Sequence, residues 1–209
     1  MEYMLAVILF AISTSITPGP NNIMVMTSAL NFGVKKTLPL LVGICAGFSV
    51  MLLVIGFGFG QVFTAFPSLH LIIKCVGVAY LLYLAWAIAK SASAPIDTDK
   101  AKPLTFMNGA LFQWVNAKAW VVATGAIAAF TSIGDGYYTQ NVIIALVFFI
   151  AAFPCVGTWL LCGSALKRVL TRDKYRTLFN YVMATLLVLS VLPVALEIIE
   201  QVQVAKLWA

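Results

Sequence analysis

The sequence predicts an all-α polytopic membrane protein, with six transmembrane segments arranged as two inverted three-helix repeats and with broken first and fourth segments. Three observations carry this expectation. Hydrophobic residues fill 62% of the 209 positions and charged residues only 10%, with a mean hydropathy of +1.01, far outside the range of water-soluble domains. The apolar residues fall in runs of about twenty or more, enough to cross about 30 Å of hydrocarbon as helix, and no alternating barrel pattern is present. Finally, the first and fourth runs are interrupted at their midpoints by helix breakers or a charge.

The segments are expected at about residues 3–33, 37–62, 68–90, 104–132, 138–166 and 176–199. Residues 1–209 form one transmembrane domain: a first repeat over about 1–90, a polar linker at 91–103 and a second repeat over about 104–209.

In the first segment Glu2 is the only charge among the first 34 residues. A cleaved secretory signal needs a basic start and a short apolar core, so the N-terminus is expected to stay as the first span. Tyr3 to Val34 is 32 uncharged residues, about 48 Å as helix and too long for one untilted crossing. Its middle reads "SITPGPNN" (15–22). An ordinary loop there would leave only Met1 to Ile16 ahead of it, short of a span, so the break is expected within the membrane. Pro18 and Pro20 remove two backbone donors and free carbonyls one turn earlier, Gly19 permits unusual dihedrals, and Asn21 and Asn22 add amides. Unpaired backbone at that depth is tolerated only against protein or a water-filled cavity.

The basic "GVKK" turn leads into the second segment, whose Gly43, Gly47, Gly56 and Gly60 form small-xxx-small pairs for close helix approach, without the strand and helix context of a nucleotide loop. His70 follows in the "AFPSLH" turn; with no second histidine or buried acid, no metal site is expected. Tyr83 and Trp86 near the end of the third segment, and Tyr137 and Tyr138 before the fifth, fit interfacial anchors. The linker "SASAPIDTDKAK" (91–102) separates the halves.

The fourth segment, Leu104 to Gly134, has one charge in 31 residues: Lys118, within "QWVNAKAW" (113–120). Either interface lies more than about 20 Å away along the helix, beyond the reach of a snorkelling stem. A charge so placed costs about 2.5–3.5 kcal/mol on insertion scales, so something must offset it. In the fifth segment Pro154 and Gly157 suggest a kink, and Cys155 and Cys162 share a helix face. Glu197 and Glu200 fall at the outer end of the sixth, which follows the basic stretch "KRVLTRDKYR" (167–176).

Ten of the 13 basic residues lie in the first, third and fifth connections. The positive-inside rule places those connections in the cytoplasm and both termini on the opposite side. This topology also accounts for the net charge of +6 better than nucleic-acid binding, which needs a basic face with interleaved aromatics. No extramembrane segment is long enough to bury a catalytic core; an enzyme is not expected, and no cofactor is implied.

Three spans separate the two breaks, so the broken helices run in opposite directions, the sequence pointer to a transporter with a midplane site. Lys118 there can bind a carboxylate, helped by the amino ends of half-helices, while Asn21, Asn22, Gln113 and Asn116 offer hydrogen bonds. The expected substrate is an anion or zwitterion bearing a carboxylate. With no buried acid in view, Lys118 is also a candidate carrier of a coupling proton. Two other readings stay open: a membrane thiol or electron carrier using Cys45, Cys75, Cys155 and Cys162, none in a CxxC pair, and a scaffold subunit without transport.

"ITPGPNN" in the first segment, "GVAYLLYLAWAIAKS" (77–91) closing the third and "NAKA" (116–119) in the fourth resemble hallmark stretches of the LysE/RhtB family of bacterial amino-acid exporters, as do the size, the six segments and the central linker. Many members carry a proline between the asparagine and lysine of the last motif, where this chain has Ala117; in this it is similar to the branch that includes the cysteine and O-acetylserine exporter. The resemblance implies an inner-membrane secondary exporter of small amino acids or their derivatives, coupled to H+ through the proton motive force, with both termini periplasmic. The matching positions are Pro18, Gly19, Pro20, Asn21 and Asn22, then Gly77 and Tyr80, then Asn116 and Lys118. Together with the glycine pairs, it also points to a homodimer in the lipid bilayer.

Overall fold

The computed structural model describes residues 2–59, 67–91, 102–132, 136–169 and 173–207. Every regular element among them is helical: α1 Glu2–Ile16, α2 Pro20–Phe32, α3 Val34–Val54 running on as a π-helical turn Ile55–Phe59, α4 Pro67–Ser91, α5 Phe106–Phe112, a 3-10 turn Gln113–Val115, α6 Ala117–Phe130, α7 Tyr137–Val169 and α8 Asp173–Leu207. Val34–Gly58 and Tyr137–Leu166 are each long and apolar enough to cross a membrane. The pair α1 and α2, bent by 54° at its break, qualifies as a third span taken together. Most of the 91–102 linker, Gly60, the first residues of the "AFPSLH" turn, residues 133–135 and 170–172, and the side chains of His70 and Glu197 lie outside what is described.

Local chemistry sets the boundaries. Gly33 (φ 81°) joins α2 to α3 in a conformation that favours glycine, and its N–H bonds the Ala29 carbonyl at 2.9 Å. Thr105 caps α5 with a reciprocal box to Asn108. α7 continues as one helix through Pro154 and Gly157, with the Thr158 hydroxyl donating to the Pro154 carbonyl at 2.9 Å.

The apolar interior falls into two clusters, one on each side of the helix breaks. The first gathers α2, the amino half of α3, α4, α5, the carboxyl half of α7 and α8, around Met24, Leu40, Leu41, Phe112 and Leu187. The second gathers α1, the carboxyl half of α3, α6 and the amino half of α7, around Val7, Met51, Leu52, Ile144 and Phe148. The chain therefore passes from the second cluster to the first through α1 and α2, and returns the opposite way through α5 and α6. Between the halves, α4 packs on α8, α2 and α1 on α7, α3 on α7 and α5 on α3.

Glycine makes the closest of these contacts possible. A Cβ on Gly43 would run into the Phe106 carbonyl, one on Gly47 would lie 2.5 Å from the Ala110 Cα, and one on Gly109 would lie 2.5 Å from the Leu40 carbonyl. Gly43 and Gly47 thus pack against α5 within the chain. Tyr83, Trp86 and Tyr138 are exposed, as interfacial anchors require, with the Lys90 ammonium 4.8 Å over the Trp86 ring.

Candidate substrate cavity

The first break is built by its prolines. α1 ends at Ile16, Gly19 is fully extended (φ −175°, ψ 178°), and Pro20 takes the first helical position of α2, where its missing N–H costs nothing. The carbonyls stranded at the end of α1 are met from elsewhere in the fold. Ile16 accepts from the Trp159 indole at 3.1 Å. Asn22 Nδ2 donates to the carbonyls of Ser15 (3.1 Å) and Thr17 (2.9 Å).

Lys118 completes the set. Its Nζ donates to the carbonyls of Thr17 at 2.8 Å and Pro18 at 3.4 Å, bridging 101 residues of sequence. The carboxyl end of a helix carries partial negative charge, so this placement is what offsets the burial of the half-buried ammonium. The sequence made Lys118 a candidate for binding a substrate carboxylate; its ammonium, which has three donors, also reaches the backbone at the end of α1. Gly19 admits the lysine, because a Cβ there would lie 3.0 Å from Lys118 Cδ and 3.2 Å from Nζ.

The second break forms without proline. The 3-10 turn Gln113–Val115 ends at Asn116, whose extended backbone (φ −89°, ψ 105°) starts α6 and whose side chain accepts from the Lys118 N–H at 3.2 Å. Fully buried Gln113 then ties the two breaks together: its amide exchanges hydrogen bonds of 2.9 and 3.0 Å with that of Asn21, and also reaches the Gly109 carbonyl at 2.9 Å.

Between the breaks lies a cavity of about 60 Å³, room for about four water molecules. Its polar lining comes from Thr14, Ser15, Asn21, Asn22, Asn116 and Lys118 with Gly19 and Pro20, and its apolar lining includes Cys45, Phe48, Phe148 and Val156. Six of the nine candidate residues thus line it: Gly19, Pro20, Asn21, Asn22, Asn116 and Lys118. Pro18 contributes its carbonyl to Lys118, and Gln113 stands behind Asn21. Tyr80 is not on the wall; its ring packs 5.5 Å from that of Phe112. Gly77 lies so close to the Val115 carbonyl that a Cβ would collide with it, so that stretch of α4 buttresses the second break.

Sequence reasoning missed the apolar wall, since Cys45, Phe48 and Phe148 read as ordinary core positions. Cys45 and Cys155 are buried while Cys75 and Cys162 are exposed, and all four are free. Cys155 and Cys162 therefore sit in different surroundings despite their spacing. Among the described residues no group of three or more His, Cys, Asp or Glu side chains is placed to hold a metal ion.

The family model described as LysE type translocator matches residues 12–197. A cysteine/O-acetylserine efflux protein of Klebsiella pneumoniae subsp. pneumoniae is 29% identical over 197 residues, covering 92% of this chain and 96% of that protein. The proteins of the same description from Escherichia coli strain K12 and Salmonella choleraesuis are 31% and 32% identical over 182 residues, covering 86% of this chain and 90% of each relative. No solved structure matches the chain.

Proposed function

This chain belongs to the LysE type translocator family, a transporter and not an enzyme, and from that premise we propose that it exports small amino acids or their derivatives across the bacterial inner membrane through the cavity between its two helix breaks. The observation that carries the reading is the meeting of those breaks. Two interrupted helices running in opposite directions bring Asn21, Asn22, Asn116 and Lys118 to one small cavity, as expected of transporters that bind at the midplane on discontinuous helices. In this reading the six segments form two inverted repeats in a single domain, 1–209. Cysteine and O-acetylserine are the proposed substrates, by likeness to the relatives.

The two apolar clusters then act as the two sides of the gate. Separation around one cluster opens the cavity to one face of the membrane while the other cluster stays closed, and the breaks are where the chain bends. The coupling ion in this proposal is a proton. Among the described residues no carboxylate lines the cavity, and Lys118, which does line it, is the proposed proton carrier.

The test is efflux from cells loaded with a panel of labelled amino acids, with and without the protein. Faster efflux of cysteine or O-acetylserine is expected. No difference for any amino acid in the panel would remove the reading.

A further inference from the structure

We infer that Gln113 is a positioning residue for the substrate: from behind the cavity wall it holds Asn21 in the place and orientation that binding requires. This rests on the export reading above. Gln113 is 0% exposed and stands outside the lining, whereas Asn21 lines the cavity. A primary amide has two N–H donors and one oxygen, and in Gln113 each of them has a partner. Its Nε2 donates to the Gly109 carbonyl at 2.9 Å and to Asn21 Oδ1 at 3.0 Å, while its Oε1 accepts from Asn21 Nδ2 at 2.9 Å.

The Gly109 carbonyl decides which way round this pair stands. A carbonyl only accepts, so the nitrogen of Gln113 must face it; turned over, the amide would set oxygen against oxygen and leave buried groups unpaired, which is costly. With Gln113 fixed, the Asn21 amide has one orientation that matches it, oxygen to nitrogen and nitrogen to oxygen. Gly109 in turn packs tightly on α3, since a Cβ there would lie 2.5 Å from the Leu40 carbonyl. Support therefore runs from the α3 backbone through Gly109 and Gln113 to Asn21, which is 92 residues from Gln113 in sequence. After this pairing Asn21 keeps one N–H and part of the accepting capacity of its oxygen, and these are what its side chain can offer an amino acid. A group misplaced by about 1 Å loses much of its effect, so loss of the Gln113 amide is expected to weaken binding although it removes nothing from the cavity lining.

Uptake of labelled L-cysteine into proteoliposomes carrying the full-length protein tests this, with KM and kcat measured for the wild type, Gln113→Met, Asn21→Ala and the double variant. Gln113→Met, similar in shape but without the amide, is expected to raise KM at least about tenfold and to change kcat by less than about threefold, the pattern of lost binding. In the Asn21→Ala background the same change is expected to move KM by less than about twofold, because the residue it acts through is gone. The exchange of Asn21→Gln with Gln113→Asn keeps the combined length of the two amides and is expected to hold KM within about threefold of the wild type, which gives a reading should Gln113→Met not fold. Unchanged KM in Gln113→Met, an equal loss in the Asn21→Ala background, or a folded exchange variant whose KM rises by about tenfold, overturns the inference and spares the export reading. Absence of any cysteine uptake by the wild type overturns export of cysteine and the inference with it.

Discussion

Lys118 is the residue on which the polar chemistry turns. Its position at the middle of the fourth run was plain in the sequence, and so was the need for something to offset its charge. What the sequence did not reveal was the partner, because the Thr17 and Pro18 carbonyls become available only once Pro18 and Pro20 have ended α1. The same contact gives Gly19 its purpose. Gly19→Ala is expected to push the lysine stem aside, weaken both hydrogen bonds and destabilise the purified protein by about 1–2 kcal/mol in an unfolding titration, with transport slowed. Gly125→Ala is the control: nothing lies within 4 Å of its added methyl, so stability is expected unchanged or higher by up to about 1 kcal/mol.

At the scale of the element, the two breaks were not equally legible. The first announces itself through Pro18, Gly19 and Pro20. The second offers only Asn116 and the buried charge beside it, since Ala117 stands where a proline would have marked the spot; the preceding 3-10 turn left no signal at all. Asn116 succeeds because it is extended and caps the next helix, which makes Ala117 the first helical residue. That position tolerates proline, and the backbone of Asn116 already suits a residue preceding one. Ala117→Pro is therefore expected to fold, to raise stability by about 0.4–1 kcal/mol in the same unfolding titration and to retain transport. A loss of folded protein would contradict the assignment of this break. The glycine pairs were legible as packing devices, but their partner was not: periodicity says that Gly43 and Gly47 meet something small, and only the fold identifies it as the backbone of α5.

For the whole molecule, composition and run length anticipated where most of the described helices lie, since hydrocarbon thickness limits span length, although the last helix runs on to Leu207, past the expected end at about 199. The cavity's apolar wall was illegible for the complementary reason. Helices that are apolar all round carry no stripe to show which side meets a cavity and which meets lipid, so Phe48 and Phe148 could not be told from their exposed neighbours Val50 and Phe149. The proposed topology has its own test. A reporter fused after Ala209 is expected to be active only as a periplasmic enzyme, and cytoplasmic activity would reverse the assignment of the basic connections. The central claim, that transport passes through the cavity joined by Lys118 to the end of α1, is tested most directly by cysteine or O-acetylserine uptake into proteoliposomes carrying equal amounts of wild type and Lys118→Met. The wild type is expected to transport saturably and the variant at no more than about a tenth of its rate, as for loss of a functional intramembrane charge; equal rates would contradict the account.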